Sequence, residues 1–398
     1  MIGETPLFCS RQLWGILARL LQPKGVAGNR GLYPRDGMRC ASNLGVYLSQ
    51  SSQLTMRMWK ASCSSRKGRI MISSRENILR TVHGENPEYV PLSFTDIHYT
   101  GLFAMDAVGQ PFADGSDAFG CEWIHTFEGA MNAPGFVMFD DVADWEKYVK
   151  FPDLDEIDFH ELAARESAVL PIDRENRLVV TMEEGGAFMR LISFMGIENA
   201  LCALMEDPEA CCNFFEAYTE FKIDYNTRLI DAYAPDMIVL GEDVANAKNL
   251  FMAPEVYRDL LKPFHAAVCD AAAKRDTLVE FHCCGKCEDI IPDFVEMGVS
   301  SWQSAQVMND LAGILDKYGN QMAVDGGWDS SGKVSFLKPE DGGDILRDET
   351  HRCLTEYKKP GFILWPLFYT DKGWVSSTAS DPRTQAVVEE WEAMKWFD

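Results

Sequence analysis

From Met71 onward, short β-branched or apolar runs alternate with longer helical stretches, and no other feature of the sequence constrains the fold as strongly. Two parallel strands need a crossover of a dozen or more residues, usually a helix, so strand followed by helix, repeated, argues for an α/β fold around a parallel sheet. Strands are expected at residues 90–94, 178–182, 237–240, 278–282, 300–302, 321–324 and 362–365. Helical patterns lie between them at 196–205, 208–232 and 254–274, the last two opening on a proline that suits a first turn. Seven strands approach eight, so the expected architecture is a distorted (β/α)8 TIM-type barrel with its chemistry where strands end and loops begin. Residues 96–152 break the rhythm. They are rich in Gly, Asp and aromatic residues and are expected to form an inserted region covering the C-terminal face.

Charge divides the chain at the same place. Residues 1–70 carry eleven Lys/Arg against only Glu4 and Asp36, whereas the whole 398-residue chain balances at −24, so the body from 71 to 398 stands at −33. A body this acidic repels phosphate backbones and anionic lipid, which makes nucleic acid and membrane poor partners. No run approaches the roughly 20 apolar residues that span a bilayer. The basic, Ser-rich segment 1–70 fits a transit peptide; the reading adopted is a poorly ordered or non-native extension without chemistry. Ser73 and Glu76 then offer a capping box, so the barrel domain is expected to occupy 71–398.

The twelve cysteines include adjacent pairs, Cys211-Cys212 and Cys283-Cys284, unsuited to ordinary bridges. Reduced thiols and a cytoplasmic setting are expected, where close Cys/His spacing points to metal or catalysis. No GxGxxG, P-loop or GxSxG motif is present, which argues against dinucleotide, nucleotide and serine-hydrolase chemistry.

The most informative string is Glu280-Phe281-His282-Cys283-Cys284-Gly285-Lys286-Cys287. His282 and Cys284 are two apart at the end of an expected strand, and on extended backbone such residues point the same way, so imidazole and thiolate can face one ion. Zinc favours such ligands and needs more from elsewhere. The plainer reading makes His282 a strand cap and the cysteines small apolar packing groups.

At this string the sequence resembles the uroporphyrinogen decarboxylase superfamily, in particular its zinc methyltransferases that exchange methyl groups with corrinoid proteins. The likeness is carried by His282-Cys283-Cys284-Gly285 and extends to residues 290–299, Gly326-Gly327-Trp328-Asp329, Gly241-Glu242-Asp243, Pro254-Glu255-Val256-Tyr257 and residues 205–209, covering roughly 71–380. It implies the distorted barrel, with its site at the strand C-termini. Two departures matter. The arginine-rich N-terminal signature of the decarboxylase proper has no counterpart around residues 91–99, so porphyrin chemistry is not expected. Thiol-methylating members place a cysteine ligand after a late strand, and residues 361–369 contain none.

The resemblance therefore implies zinc on His282 and Cys284, with Glu242 or Asp243 preferred as third ligand and Cys287 next. Without the late cysteine the ion is harder and more oxygen-friendly, which favours moving a methyl group from a small, oxygen-linked donor to the cobalt of a corrinoid carried by a separate protein. Glu242 and Asp329 are the expected catalytic carboxyls. His98, Gln303, Gln306 and Trp328 are expected to bind substrate, within a set of aromatic residues near strand ends. Two other functions suit the same barrel: a metal-free lyase on a small carboxylic acid, and a non-catalytic ligand-binding protein.

Overall fold

The computed structural model describes residues 72–111, 113–126, 129–183, 185–371, 373–375 and 381–397; the expected extension 1–70 lies outside the described residues. In chain order the strands are β1 Ile97–Thr100, β2 Gly115–Ser116, β3 Glu122–Thr126, β4 Gly129–Asn132, β5 Leu178–Thr181, β6 Met237–Gly241, β7 Leu278–His282, β8 Ser301–Ala305, β9 Ala323–Gly326, β10 Phe336–Leu337, β11 Phe362–Leu364, β12 Tyr369–Thr370 and β13 Gly373–Trp374. Seven form one sheet in the order β1-β5-β6-β7-β8-β9-β11, every neighbouring pair parallel. Helices separate its successive strands from β5 onward, so the expected α/β barrel architecture is present. β5, β6, β8, β9 and β11 are buried along their whole length, as strands covered on both faces must be.

The expected first strand, 90–94, is reduced to one parallel bridge between Leu92 and Leu364 beside β11. The cause is local. Asp96 accepts from the Leu92 amide at 3.1 Å and Thr95 and Asp96 donate back to Leu92 O, turning Ser93–Asp96 into one helical turn. Side-chain bonds of this kind compete with a strand ladder. The sheet strand comes just afterwards, as β1, so the inserted region begins later than residue 96. The long helix expected at 254–274 is two, Pro254–Leu260 and Lys262–Ala273, because Pro263 starts a new first turn. Pro208–Tyr233 runs unbroken for 26 residues, its start capped by Asp207 on the Ala210 amide.

Only part of the expected capping box forms: Ser73 accepts from the Glu76 amide at 3.1 Å, while the Glu76 carboxylate pairs with Arg80. Ile78 and Val82 of that first helix cluster with Leu178, Val180, Met237, Val239, Ala323 and Ile363, an aliphatic floor for the sheet. The inserted β2-β3-β4 sheet is pinned to the helix Ala187–Met195 by Asp117. This carboxylate accepts from Trp123 Nε1 at 2.9 Å and from Arg190 at 2.6 Å, and the guanidinium lies 4.2 Å over the Phe119 ring. Among the described residues no single helix is long and apolar enough to cross a membrane.

Candidate metal centre at the strand C-termini

β6, β7 and β8 run in register, Gly241 beside His282 and His282 beside Gln303, so residues leaving these strands are held together by backbone hydrogen bonds. Asp243, His282 and Cys284 bring one carboxylate oxygen, one imidazole nitrogen and one sulfur within 4.8 Å of one another, all buried. Cys284 Sγ is 3.6 Å from His282 Nε2. Zn–S bonds of about 2.3 Å and Zn–N bonds of about 2.0–2.1 Å at a tetrahedral angle separate the two ligand atoms by about 3.6 Å. The donor set therefore fits a zinc ion with three protein ligands and a position left over for substrate.

Surrounding groups orient these donors. His282 Nδ1 lies 2.7 Å from Gln303 Oε1, an acceptor, so the ring proton sits on Nδ1 and Nε2 is turned as a lone pair towards Cys284. Burial lowers the His282 pKa against the opposing pull of the nearby Asp243 carboxylate, and so favours the neutral ring that a ligand must offer. Asp243 Oδ1 accepts from the Cys284 amide at 2.7 Å, tying the two ligand-bearing loops to each other. Gly285, at φ +89, lets the chain turn immediately beyond Cys284 against the Asn246 carbonyl, where a Cβ would collide.

Glu242 is a correction. Its oxygens accept from the Phe188 and Met189 amides at 3.1 and 2.8 Å and contact His265 Nε2 at 3.0 Å, so it caps the helix Ala187–Met195 and takes no place among the donors. The helix has no side-chain cap of its own, Gly186 being the N-cap, and its first-turn amides, which have no partner within the helix, draw the carboxyl to them. The neighbouring Asp243, and not Glu242, has a carboxylate oxygen within 4.8 Å of the His282 and Cys284 donor atoms. Cys287 is also placed elsewhere, beside Cys283 on the other side of the chain, with its amide on Asn309.

Of the expected substrate-binding residues, Gln303 is next to the centre and Gln306 one step out, accepting from the Gly285 amide at 2.9 Å and donating to Ser330. His98 faces the other way along β1. It lies among Arg177, Arg174 and Asp173, and burial first, then the two arginines, lowers its pKa to about 4. Alternation along the strand puts Tyr99 on the inner face, where its hydroxyl accepts from Gln303 Nε2 at 2.6 Å. Asp329 closes a turn, accepting from the Ser331 amide and hydroxyl, and is not among the grouped donors. Trp328 is buried and stacks on Phe368 at 6.1 Å. Trp302 points outward, donating to Cys283 O. Trp365 meets His282 edge to face at 6.1 Å and is followed by Trp374 and Tyr369, an aromatic wall beside the donors.

Two residues of the sheet interior have no counterpart in the sequence reading. Glu280 and Asp325 are fully buried, and none of their four oxygens accepts a hydrogen bond of normal geometry. Burial raises Glu280 to about 8, and burial together with the Glu280 charge raises Asp325 well above the usual range, so burial favours the protonated form at this pair. The signal was available: Glu280 precedes His282 by two and shares its face.

Residues 118–366 match the family model described as Uroporphyrinogen decarboxylase (URO-D). Among solved structures the chain is similar to a methyltransferase from Methanosarcina mazei, at 13% identity and a TM-score of 0.59 over 81% of this chain and 99% of that one, a likeness of fold. A GH113 beta-1,4-mannanase (14% identity, TM-score 0.32, 62% of this chain and 81% of that one) and Dispersin B (7%, 0.29, 81% and 94%) are more remote. No curated protein matches. With 249 of its 398 residues inside the match, the chain belongs to the uroporphyrinogen decarboxylase (URO-D) family.

Proposed function

We propose that the protein is a zinc-dependent methyltransferase that moves a methyl group from a small O-methylated compound to the cobalt(I) of a corrinoid protein. The convergence of Asp243, His282 and Cys284, with the sulfur-to-nitrogen spacing that tetrahedral zinc requires, carries this reading. The bound ion would supply a Lewis acid at the leaving oxygen. The C–O bond breaks, a Co–C bond forms with the electron pair of cobalt(I), and the departing oxygen takes a proton from solvent.

The chain's own residues serve the rest of the task. Gln303 holds His282 in the tautomer that offers Nε2, and Asp243 fixes the Cys284 loop. Trp365, Trp374 and Tyr369 suit an aryl methyl ether, whose ring stacks on or meets such faces edge-on. Burial favours the neutral forms of Glu280 and Asp325, so this pair tends to add little charge beside the centre.

A corrinoid is too large for a pocket built around a small donor, so it would be presented at the strand C-termini by a partner protein in a transient, polar contact. A cytoplasmic location accompanies this reading, since the centre needs a reduced Cys284. Elemental analysis tests the metal: about one zinc per chain is expected, lost in the His282→Ala/Cys284→Ala double variant, and retention by that variant overturns the assignment.

A further inference from the structure

Three non-glycine residues among those described have left-handed backbone: Ala234, Asp276 and Ser304. Ala234 ends the helix Pro208–Tyr233 and Asp276 follows the helix Lys262–Ala273, places where a left-handed residue is common. Ser304, at φ +66, lies inside β8. Gln303 pairs with Asp325 and Ala305 with Gly326, so Ser304 is the extra residue of a β-bulge. The opposite strand accommodates it with Gly326, where a Cβ would collide with Ala305. Serine in this conformation costs free energy that glycine would not, and strain held inside a strand next to a candidate site asks for a function.

A bulge re-aims one side chain, and here it aims Ser304 Oγ to 3.2 Å from Cys284 Sγ, with Ser304 buried. A thiolate only accepts, so with Cys284 deprotonated the hydroxyl is the donor. We propose that Ser304 is a positioning residue for the metal centre: its O–H donates to the Cys284 thiolate, fixes the sulfur against His282 and draws electron density from it. An ion held by Asp243, His282 and Cys284 is then a stronger Lewis acid than the same three ligands alone would make it. This rests on the metal-centre reading above.

Cobalt(II) bound to the full chain reports on the sulfur directly, through its thiolate-to-cobalt charge-transfer absorption. Ser304→Ala removes the hydroxyl; Ser304→Gly removes it and relieves the backbone, so it folds even if the alanine variant does not. Both should bind cobalt with the sulfur band moved to longer wavelength and with affinity lowered about 10-fold, a size usual for loss of a group supporting a ligand. Ser304→Gly should melt no lower than the parent. A band at the parent wavelength in the glycine variant overturns the proposal, since a merely structural serine would leave the spectrum alone. A parent protein that takes up cobalt with no sulfur band refutes Cys284 as a ligand, and the proposal falls with it by a separate, recognisable route.

Discussion

Gln303 Oε1 stands 2.7 Å from His282 Nδ1, one strand away in the same sheet, and this contact decides which ring nitrogen of His282 is free. Leucine at 303 keeps the volume and removes the acceptor. Gln303→Leu should lower zinc affinity 10- to 100-fold in chelator competition, the range seen when a ligand's supporting partner is lost. Unchanged affinity would mean that something other than Gln303 orients the ring.

Glu242 and Asp243 are adjacent in sequence and divide structure from ligation. Glu242→Ala strands two helix amides and His265, so it should cost about 3 kcal/mol of stability while zinc stoichiometry stays near one. Asp243→Asn should keep the Cys284 amide contact and the melting temperature but lose most of the zinc affinity. The reverse pattern in calorimetry and metal analysis would restore Glu242 as the ligand.

His98 gives the fold a pH dependence of its own. Its pKa falls from 6.5 to about 4 on folding, so the native state binds fewer protons than the unfolded chain between those values. Its contribution is therefore complete above about pH 6.5 and is lost as pH falls through about 4. Between pH 7 and 5 the loss is about 1–2 kcal/mol. His98→Gln cannot titrate and should lose correspondingly less stability over that interval in urea unfolding; parallel pH profiles would show that the imidazole is not held neutral.

Asp117 and Arg190 are both fully buried, and removing one leaves the other uncompensated. Asp117→Ala should cost about 3–5 kcal/mol, whereas replacing both partners by apolar residues of similar size should recover much of it. Urea unfolding of the single and double variants checks this. A single variant as stable as the parent would mean that the pair does not pin the inserted sheet.

The barrel was readable because a buried parallel strand leaves a continuous apolar run and a crossover helix leaves a longer periodic one. Leu278–His282 lies where that pattern puts it. Hydrophobic pattern puts a strand at residues 90–94 because it does not register that Asp96 bonds back to Leu92. His282 with Cys284 was legible from spacing alone. Choosing Asp243 over Glu242 was not, since it depends on which carboxyl the bare amides of a helix 54 residues away in sequence capture. His98 and Tyr99 are adjacent, and on a strand that puts them on opposite faces: Tyr99 meets Gln303, whereas His98 lies among Arg177, Arg174 and Asp173.

Methyl transfer at the Asp243, His282 and Cys284 centre is read most directly from the visible spectrum of a cobalt(I) corrinoid mixed with the zinc-loaded protein and a panel of donors. Methylcobalt should form rapidly with aryl methyl ethers, and neither the His282→Ala/Cys284→Ala variant nor the metal-stripped protein should support it. Activity confined to the opposite direction, from methylcobalt to a thiol, or equal rates with the double variant, would contradict the account.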